Sequence, residues 1–214
     1  MTSTLLAHDL LWGMPAEQLP ADAPAWARQV LLAGQPVVVR RARVAAGKVA
    51  VGVRGSQRAQ RLALEMPLAA IQRHCRPEQL RLEASAQLPA LRVLHAITPF
   101  MDELGLPWGP TGGVGYQLAS GVSVLHEQSD LDLVLRTAAP MSRQAARDLH
   151  RALSNAPCRI DMQLETPNGA TALAEWAGHA TRVLLKSTDG ARLVNDPWAA
   201  CLLYTSDAAD EEDS

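Results

Sequence analysis

Two aspartates within an otherwise apolar run constrain the fold of this 214-residue chain more than any other feature. Residues 129–135 read SDLDLVL, which is typical of a buried strand. Side chains at positions i and i+2 of a strand leave the same face, so Asp130 and Asp132 are expected to point towards one spot. Two unpaired negative charges repel each other there, so a cation between them is expected. Mg²⁺ is the best match because it prefers hard oxygen ligands. The pattern therefore indicates phosphoryl or nucleotidyl transfer, while a strand end with solvated or arginine-paired acids gives the same spacing.

The segments on either side of this run favour the catalytic interpretation. Upstream, residues 108–115 read WGPTGGVG, a glycine-rich loop whose backbone N–H groups can approach an anion closely. Downstream, residues 142–156 have the periodicity of a helix with Ser142 as its N-cap, and residues 158–164 alternate as a second strand does. A strand, a helix and a strand in this order place Asp161 beside the first two acids if the strands are neighbours.

These features together resemble the active site of the polymerase-β-like nucleotidyltransferase superfamily. The resemblance predicts an α+β fold, with a nucleotidyltransferase-like mixed sheet flanked by helices and a smaller amino-terminal α/β region packed on it. The interval from Gly113 to Asp130 is longer than is usual in that superfamily, and it leaves room for an extra strand or hairpin over residues 116–125.

Further motifs narrow the resemblance to one family. They are HDLLW at 8–12, GVRGSQRAQR at 52–61, GGVGYQLASG at 112–121, LKS at 185–187 and NDPW at 195–198. In this order, across residues 5–198, they resemble the phosphoribosyl-dephospho-CoA transferases of malonate decarboxylase. The family implies transfer of the prosthetic group from 2'-(5''-triphosphoribosyl)-3'-dephospho-CoA to a serine of the apo acyl-carrier subunit, with release of pyrophosphate. A related transferase acting on a citrate-lyase-type carrier and a noncatalytic module that binds a carrier protein are the alternatives.

Site residues follow from both the motifs and the resemblance. Asp130, Asp132 and Asp161 are expected to hold two Mg²⁺ ions, with Asp161 also placed to accept the proton of the carrier serine. Three arginines within eight positions offer planar donors for phosphate oxygens near an expected strand-to-helix transition, although a solvated basic helix face gives the same spacing. A lysine at a strand end can neutralise a phosphate, and a surface lysine is the alternative. The expected substrate-binding residues are Arg54, Arg58, Arg61, Gly112, Gly113 and Lys186.

Composition limits the class of protein and its partners. The three cysteines form no CxxC pair, and no apolar run approaches the roughly 20 residues that span a bilayer. No secretory signal is evident, so a cytoplasmic enzyme is expected, with no membrane, DNA or RNA partner. The last stretch carries five acids and no base, and without it the formal charge changes from −2 to +3. An Arg-rich body of this charge suits a polyphosphate and an acidic carrier protein.

The expected organisation has two packed regions and a tail. Residues 1–98 form the amino-terminal substrate-binding region, and residues 99–198 form the catalytic domain. Within them, residues 23–32, 67–75, 77–82 and 99–106 have helical character, whereas 37–41 and 49–53 read as short strands. Residues 199–214 are expected to be a non-native extension or a disordered acidic tail without function.

Overall fold

The computed structural model describes residues 4–57, 59–82 and 87–199. Within these ranges the chain forms eleven strands and five α-helices, an α+β fold as predicted. The helices are α1 (Ala25–Leu32), α2 (Pro89–Glu103), α3 (Gly112–Ser120), α4 (Arg143–Leu153) and α5 (Leu173–Ala177). The strands are β1 (Leu10–Trp12), β2 (Val37–Val39), β3 (Lys48–Arg54), β4 (Arg61–Pro67), β5 (Arg73–Cys75), β6 (Trp108–Pro110), β7 (Leu131–Arg136), β8 (Ile160–Thr166), β9 (Gly169–Ala172), β10 (Val183–Ser187) and β11 (Gly190–Val194).

The first sheet is antiparallel and has the strand order β4-β3-β2-β1-β5. Alternate residues of its strands, such as Val37 and Val39 or Val51 and Val53, are buried in one core with the apolar side of α1. The intervening residues, among them Val38, face the opposite direction because side chains alternate along a strand. One face of this sheet is thus covered by α1, and the other face is turned towards the rest of the protein.

The second sheet has the order β11-β10-β9-β8-β7-β6, and β7 and β8 are its parallel pair. Helix α4 makes the crossover between them, which confirms the predicted strand, helix and strand unit. Its N-cap is Ser142, whose Oγ accepts a hydrogen bond of 3.1 Å from the backbone N–H of Ala145. Alternate residues of β7 and β8 are buried in one core with α2, α4 and α5. The helices therefore cover one face, and the side chains of the other face are free to build a polar surface.

A network of charged side chains joins the two sheets. Arg136 donates to Glu78 at 2.6 Å and lies 3.5 Å from Glu165 and 3.7 Å from the fully buried Asp9. Asp9 also pairs with His74 at 2.7 Å. These contacts connect the amino-terminal sheet to the polar face of the second sheet.

Several of the predicted secondary-structure elements are wrong. Residues 116–125 form no strand or hairpin, because Tyr116–Ser120 complete α3 and a loop follows. The segments at 67–75 and 77–82 contain β5 and two short 3₁₀ turns rather than helices, and α2 begins ten residues before the predicted start at Pro99. The predicted division at residues 98 and 99 falls inside α2, which packs on the core of the second sheet, and that division stays a prediction.

The predicted carboxyl-terminal tail lies, from residue 200 onwards, outside the described residues. No helix in the described part of the chain is long and apolar enough to cross a membrane.

Candidate active site

Three predicted carboxylates lie at the amino-terminal ends of the parallel strands β7 and β8. Asp132 and Asp161 are partners in the β7–β8 register, and strands so paired lie about 4.8 Å apart. Asp130 precedes β7 by one residue. All three are partly exposed and line the same cleft, so the structure brings together the acids that the sequence predicted.

The glycine-rich segment presses against Asp132. The backbone N–H of Thr111 donates to the carbonyl oxygen of Asp132 at 2.8 Å, at the start of α3. Gly112 has a φ of +56°, and a Cβ added to it would lie 1.8 Å from Oδ2 of Asp132. Only glycine fits there, because any side chain would be strained in its backbone and would displace the carboxylate. The predicted loop thus places the amino-terminal end of a helix beside Asp132, which favours bound anions.

Two of the predicted arginines complete the cleft. Arg54 and Arg61 are cross-strand partners at the end of the β3–β4 hairpin, where the sequence had predicted a strand-to-helix transition instead. A Cβ on Gly113 would lie 3.3 Å from Nη2 of Arg54, so the guanidinium rests against the start of α3. Burial and then repulsion from Arg61 lower the pKa of Arg54, and the charge of Asp132 opposes this. An arginine keeps its charge at neutral pH, so two cations face the three acids.

We name this space the arginine cleft. Its volume is about 370 Å³, and it is lined by Arg54, Arg61, Gly113, Asp130, Asp132 and Asp161 together with residues of the loop after α3. Arg58, the third predicted arginine, lies outside the described residues.

Lys186 lies elsewhere, near the end of β10. It is exposed and lines a second cleft of about 670 Å³, which we name the Lys186 cleft. Asp132 and Asp161 line both clefts. The structure therefore places Lys186 on the other approach to the carboxylates and does not group it with the arginines.

Whether Mg²⁺ fits this site depends on the side chains that could coordinate it. Within the described residues no three His, Cys, Asp or Glu side chains are gathered closely enough to hold a metal ion by themselves. Asp161 accepts from Nε of Arg159 at 3.0 Å and lies 2.9 Å from its Nη2. Both partners are well exposed, and surface pairs of this kind contribute about 0–1 kcal/mol, so Asp161 can exchange Arg159 for another cation at little cost. Mg²⁺ uses one or two carboxylates plus water and substrate phosphates, and the adjacent Asp132 and Asp161 fit that pattern.

The loop between α3 and β7 supplies site residues that no sequence motif identifies. His126, Gln128 and Ser129 line the arginine cleft. Ser129 Oγ accepts from the backbone N–H of His126 at 3.0 Å, which closes the turn before Asp130. Their only signal in the sequence is a polar stretch next to the Asp-x-Asp strand, which is not specific enough to predict a role.

Comparison with known proteins adds an independent line of evidence. Residues 6–77 match the family described as phosphoribosyl-dephospho-CoA transferase MdcG N-terminal domain, and residues 79–197 match the corresponding C-terminal domain. No solved structure shows a significant match.

Several bacterial proteins are similar to this chain over nearly their full length. The phosphoribosyl-dephospho-CoA transferase of Pseudomonas putida (strain W619) is 64% identical over 191 residues, which cover 89% of this chain and 94% of the relative. Relatives with the same name are 56% identical in Azotobacter vinelandii, over 89% of this chain and 93% of theirs, and 52% identical in Pseudomonas aeruginosa, over 89% and 92%. The chain belongs to the phosphoribosyl-dephospho-CoA transferase family.

Proposed function

We propose that this protein transfers phosphoribosyl-dephospho-CoA from triphosphoribosyl-dephospho-CoA to a serine of the apo acyl-carrier subunit of malonate decarboxylase and releases pyrophosphate. The family supports the transferred group, since its relatives carry it in their name. The observation that carries the proposal is the arginine cleft, where Asp132 and Asp161 stand in register opposite Arg54 and beside the start of α3. Anion-binding groups and paired carboxylates in one cleft are what a nucleotidyltransferase needs to bind a triphosphate.

The proposed step is a single displacement at the α-phosphorus of the donor. The serine Oγ forms the new P–O bond, and the bond between the α-phosphorus and the bridging oxygen breaks. Its electron pair leaves with pyrophosphate, and the hydroxyl proton passes to a carboxylate, for which we propose Asp161. Asp130, Asp132 and Asp161 would hold Mg²⁺ together with phosphate oxygens of the donor, two ions in all, and the metal would supply positive charge against the phosphates.

The two clefts support an arrangement for this displacement. In an in-line reaction the nucleophile and the leaving group lie on opposite sides of phosphorus. We place the triphosphate in the arginine cleft, because Arg54, Arg61 and the start of α3 neutralise its charge. The carrier serine then approaches through the Lys186 cleft, which shares Asp132 and Asp161. The exposed Arg159 and Lys186 on that side favour an acidic partner.

Composition supports a cytoplasmic setting for this reaction. Cys75 and Cys158 are free thiols in the described part of the chain, as is usual in a reducing compartment.

Release of pyrophosphate tests the proposal. Purified protein is incubated with the donor, Mg²⁺ and either the apo carrier, a carrier whose acceptor serine is alanine, or an apo citrate-lyase carrier. We expect release only with the unaltered malonate decarboxylase carrier and Mg²⁺. Release with the citrate-lyase carrier alone would reassign the acceptor, and no release with any carrier from a folded protein would indicate a noncatalytic module.

A further inference from the structure

A third, more apolar space lies between the first sheet and α3. We name it the sheet cavity; its volume is about 420 Å³. Its floor is a row of successive cross-strand partners on the face that α1 does not cover. The members of this row are Leu10, Val38, Gly52 and Ala63.

The size of these side chains explains why the cavity is open. The side chains of the row become smaller along it, from leucine on β1 and valine on β2 to glycine on β3 and alanine on β4. The opposite wall is also small, because Gly112 and Gly115 of α3 line it. A Cβ on Gly115 would lie 2.5 Å from the carbonyl oxygen of Pro110, so close packing of the helix on β6 requires this glycine. The space is therefore a product of the packing and register of the two elements.

The sheet cavity has rigid and polar parts as well. The hydroxyl of Tyr116 lies 2.9 Å from Oε1 of Gln35, which holds the buried ring in place on one wall. Arg40 and His8 also line the space. An apolar cavity with a few convergent polar groups, within the usual range of about 300–1,000 Å³, is typical of a small-molecule site.

The sheet cavity adjoins the arginine cleft. Arg54 and Arg61 line both spaces, and the consecutive Gly112 and Gly113 line one each. A molecule whose phosphates lie between the arginines and Asp132 can therefore extend its uncharged part directly into the sheet cavity.

We propose that the sheet cavity binds the adenosine of the dephospho-CoA moiety while the triphosphate occupies the arginine cleft. This inference rests on the proposed function. In the donor, one ribose separates the reacting triphosphate from the adenosine, whereas the pantetheine arm lies beyond a further diphosphate. The unit that reaches a space adjoining the arginine cleft is thus the nucleoside. A purine between the Gly52–Ala63 side of the sheet and the glycine face of α3 buries its apolar faces, which favours binding.

Filling the mouth of the cavity tests the proposal. Ala63 is exposed there, so Ala63→Trp adds a large side chain without changing the core. Ala69→Trp is the matched control, because Ala69 is exposed in a short 3₁₀ turn and does not line the sheet cavity. Calorimetric titrations use 3'-dephospho-CoA, AMP and 4'-phosphopantetheine without metal, and inorganic triphosphate with Mg²⁺.

We expect Ala63→Trp to weaken binding of 3'-dephospho-CoA and AMP at least tenfold and to leave triphosphate binding unchanged, whereas Ala69→Trp matches the wild type in every titration. Unchanged dephospho-CoA affinity in a folded Ala63→Trp protein would overturn the assignment. Displacement of 3'-dephospho-CoA from the wild-type protein by 4'-phosphopantetheine but not by AMP would also overturn it.

Photolabelling gives a readout that does not depend on a variant. Irradiation of the wild-type protein with 8-azido-AMP, followed by peptide mapping, should label β3, β4 or the start of α3. Labelling confined to other segments would contradict the proposal. These binding results are independent of turnover, so a failure of carrier transfer would refute the proposed function and leave the adenosine site to be judged on its own data.

Discussion

Comparing Gly112→Ala with Gly121→Ala separates the effect of backbone strain from the effect of displacing the Asp132 carboxylate. Gly112 and Gly121 both have left-handed backbones, with φ of +56° and +73°. Alanine in that region costs about 1–2 kcal/mol. A Cβ at Gly121 meets nothing within 4 Å, whereas a Cβ at Gly112 lies 1.8 Å from Oδ2 of Asp132. The two variants therefore share the strain and differ in whether Asp132 has to move.

The expected difference in activity follows from that contact. Losing one preorganised group that stabilises transition-state charge costs about 2.7–4 kcal/mol, or roughly 10²–10³-fold in kcat. We expect Gly112→Ala to lose activity on that scale and Gly121→Ala to stay within about threefold of wild type. Urea unfolding should show a loss of about 1–2 kcal/mol for Gly121→Ala and at least as large a loss for Gly112→Ala. If Gly112→Ala transferred the prosthetic group as fast as Gly121→Ala, the position of Asp132 would not matter to the reaction.

Three further results are expected. Ser142→Ala removes the N-cap of α4, so urea unfolding should show a loss of about 1 kcal/mol, with kcat unchanged. Arg54→Lys keeps the charge but loses the planar donor pair, so the donor KM should rise about tenfold in steady-state assays, while the exposed Arg28→Lys should have no effect; equal KM values would contradict a phosphate contact. Burial, reinforced first by Arg41, lowers the pKa of His8 to about 4, so the unfolded chain binds the extra proton between pH 6.5 and 4. Wild-type stability should therefore fall from pH 7 to 4.5 by roughly 2 kcal/mol more than that of His8→Asn in urea titrations, and parallel curves would refute the buried neutral His8.

The carboxylates were predictable from sequence because their geometry depends on local rules. The i, i+2 spacing orients Asp130 and Asp132, and a short helical crossover makes β7 and β8 parallel neighbours, which brings Asp161 alongside. The glycine-rich segment was predicted to bind an anion, and the structure places the amino-terminal end of α3 there. The sequence did not predict that this segment begins α3, because three glycines in four residues disfavour a helix. Two of these glycines are explained by packing that the sequence does not show, since Gly112 lies against Asp132 and Gly115 against β6.

The remaining parts of the site depend on contacts that are distant in sequence. Arg54 and Arg61 lie on a hairpin rather than at a helix start, and they reach the acids because the two sheets pack together through the charged network of Arg136 and the apolar contacts of Leu10 with Tyr116. The sheet cavity depends on the register that places Gly52 beside Ala63 and on the small face of α3 opposite them. Single-sequence patterns carry no record of either arrangement, because both arise from tertiary packing.

The intact mass of the apo acyl-carrier subunit tests the central claim most directly. The carrier is incubated with Mg²⁺, triphosphoribosyl-dephospho-CoA and wild-type protein, Asp132→Asn or Asp148→Asn, the last being an exposed acid of α4 that matches the change in charge. We expect the carrier to gain the mass of phosphoribosyl-dephospho-CoA with the wild type and Asp148→Asn, and to gain none with a folded Asp132→Asn. A full gain with Asp132→Asn would contradict the carboxylate site, and no gain with the wild type would contradict the proposed reaction.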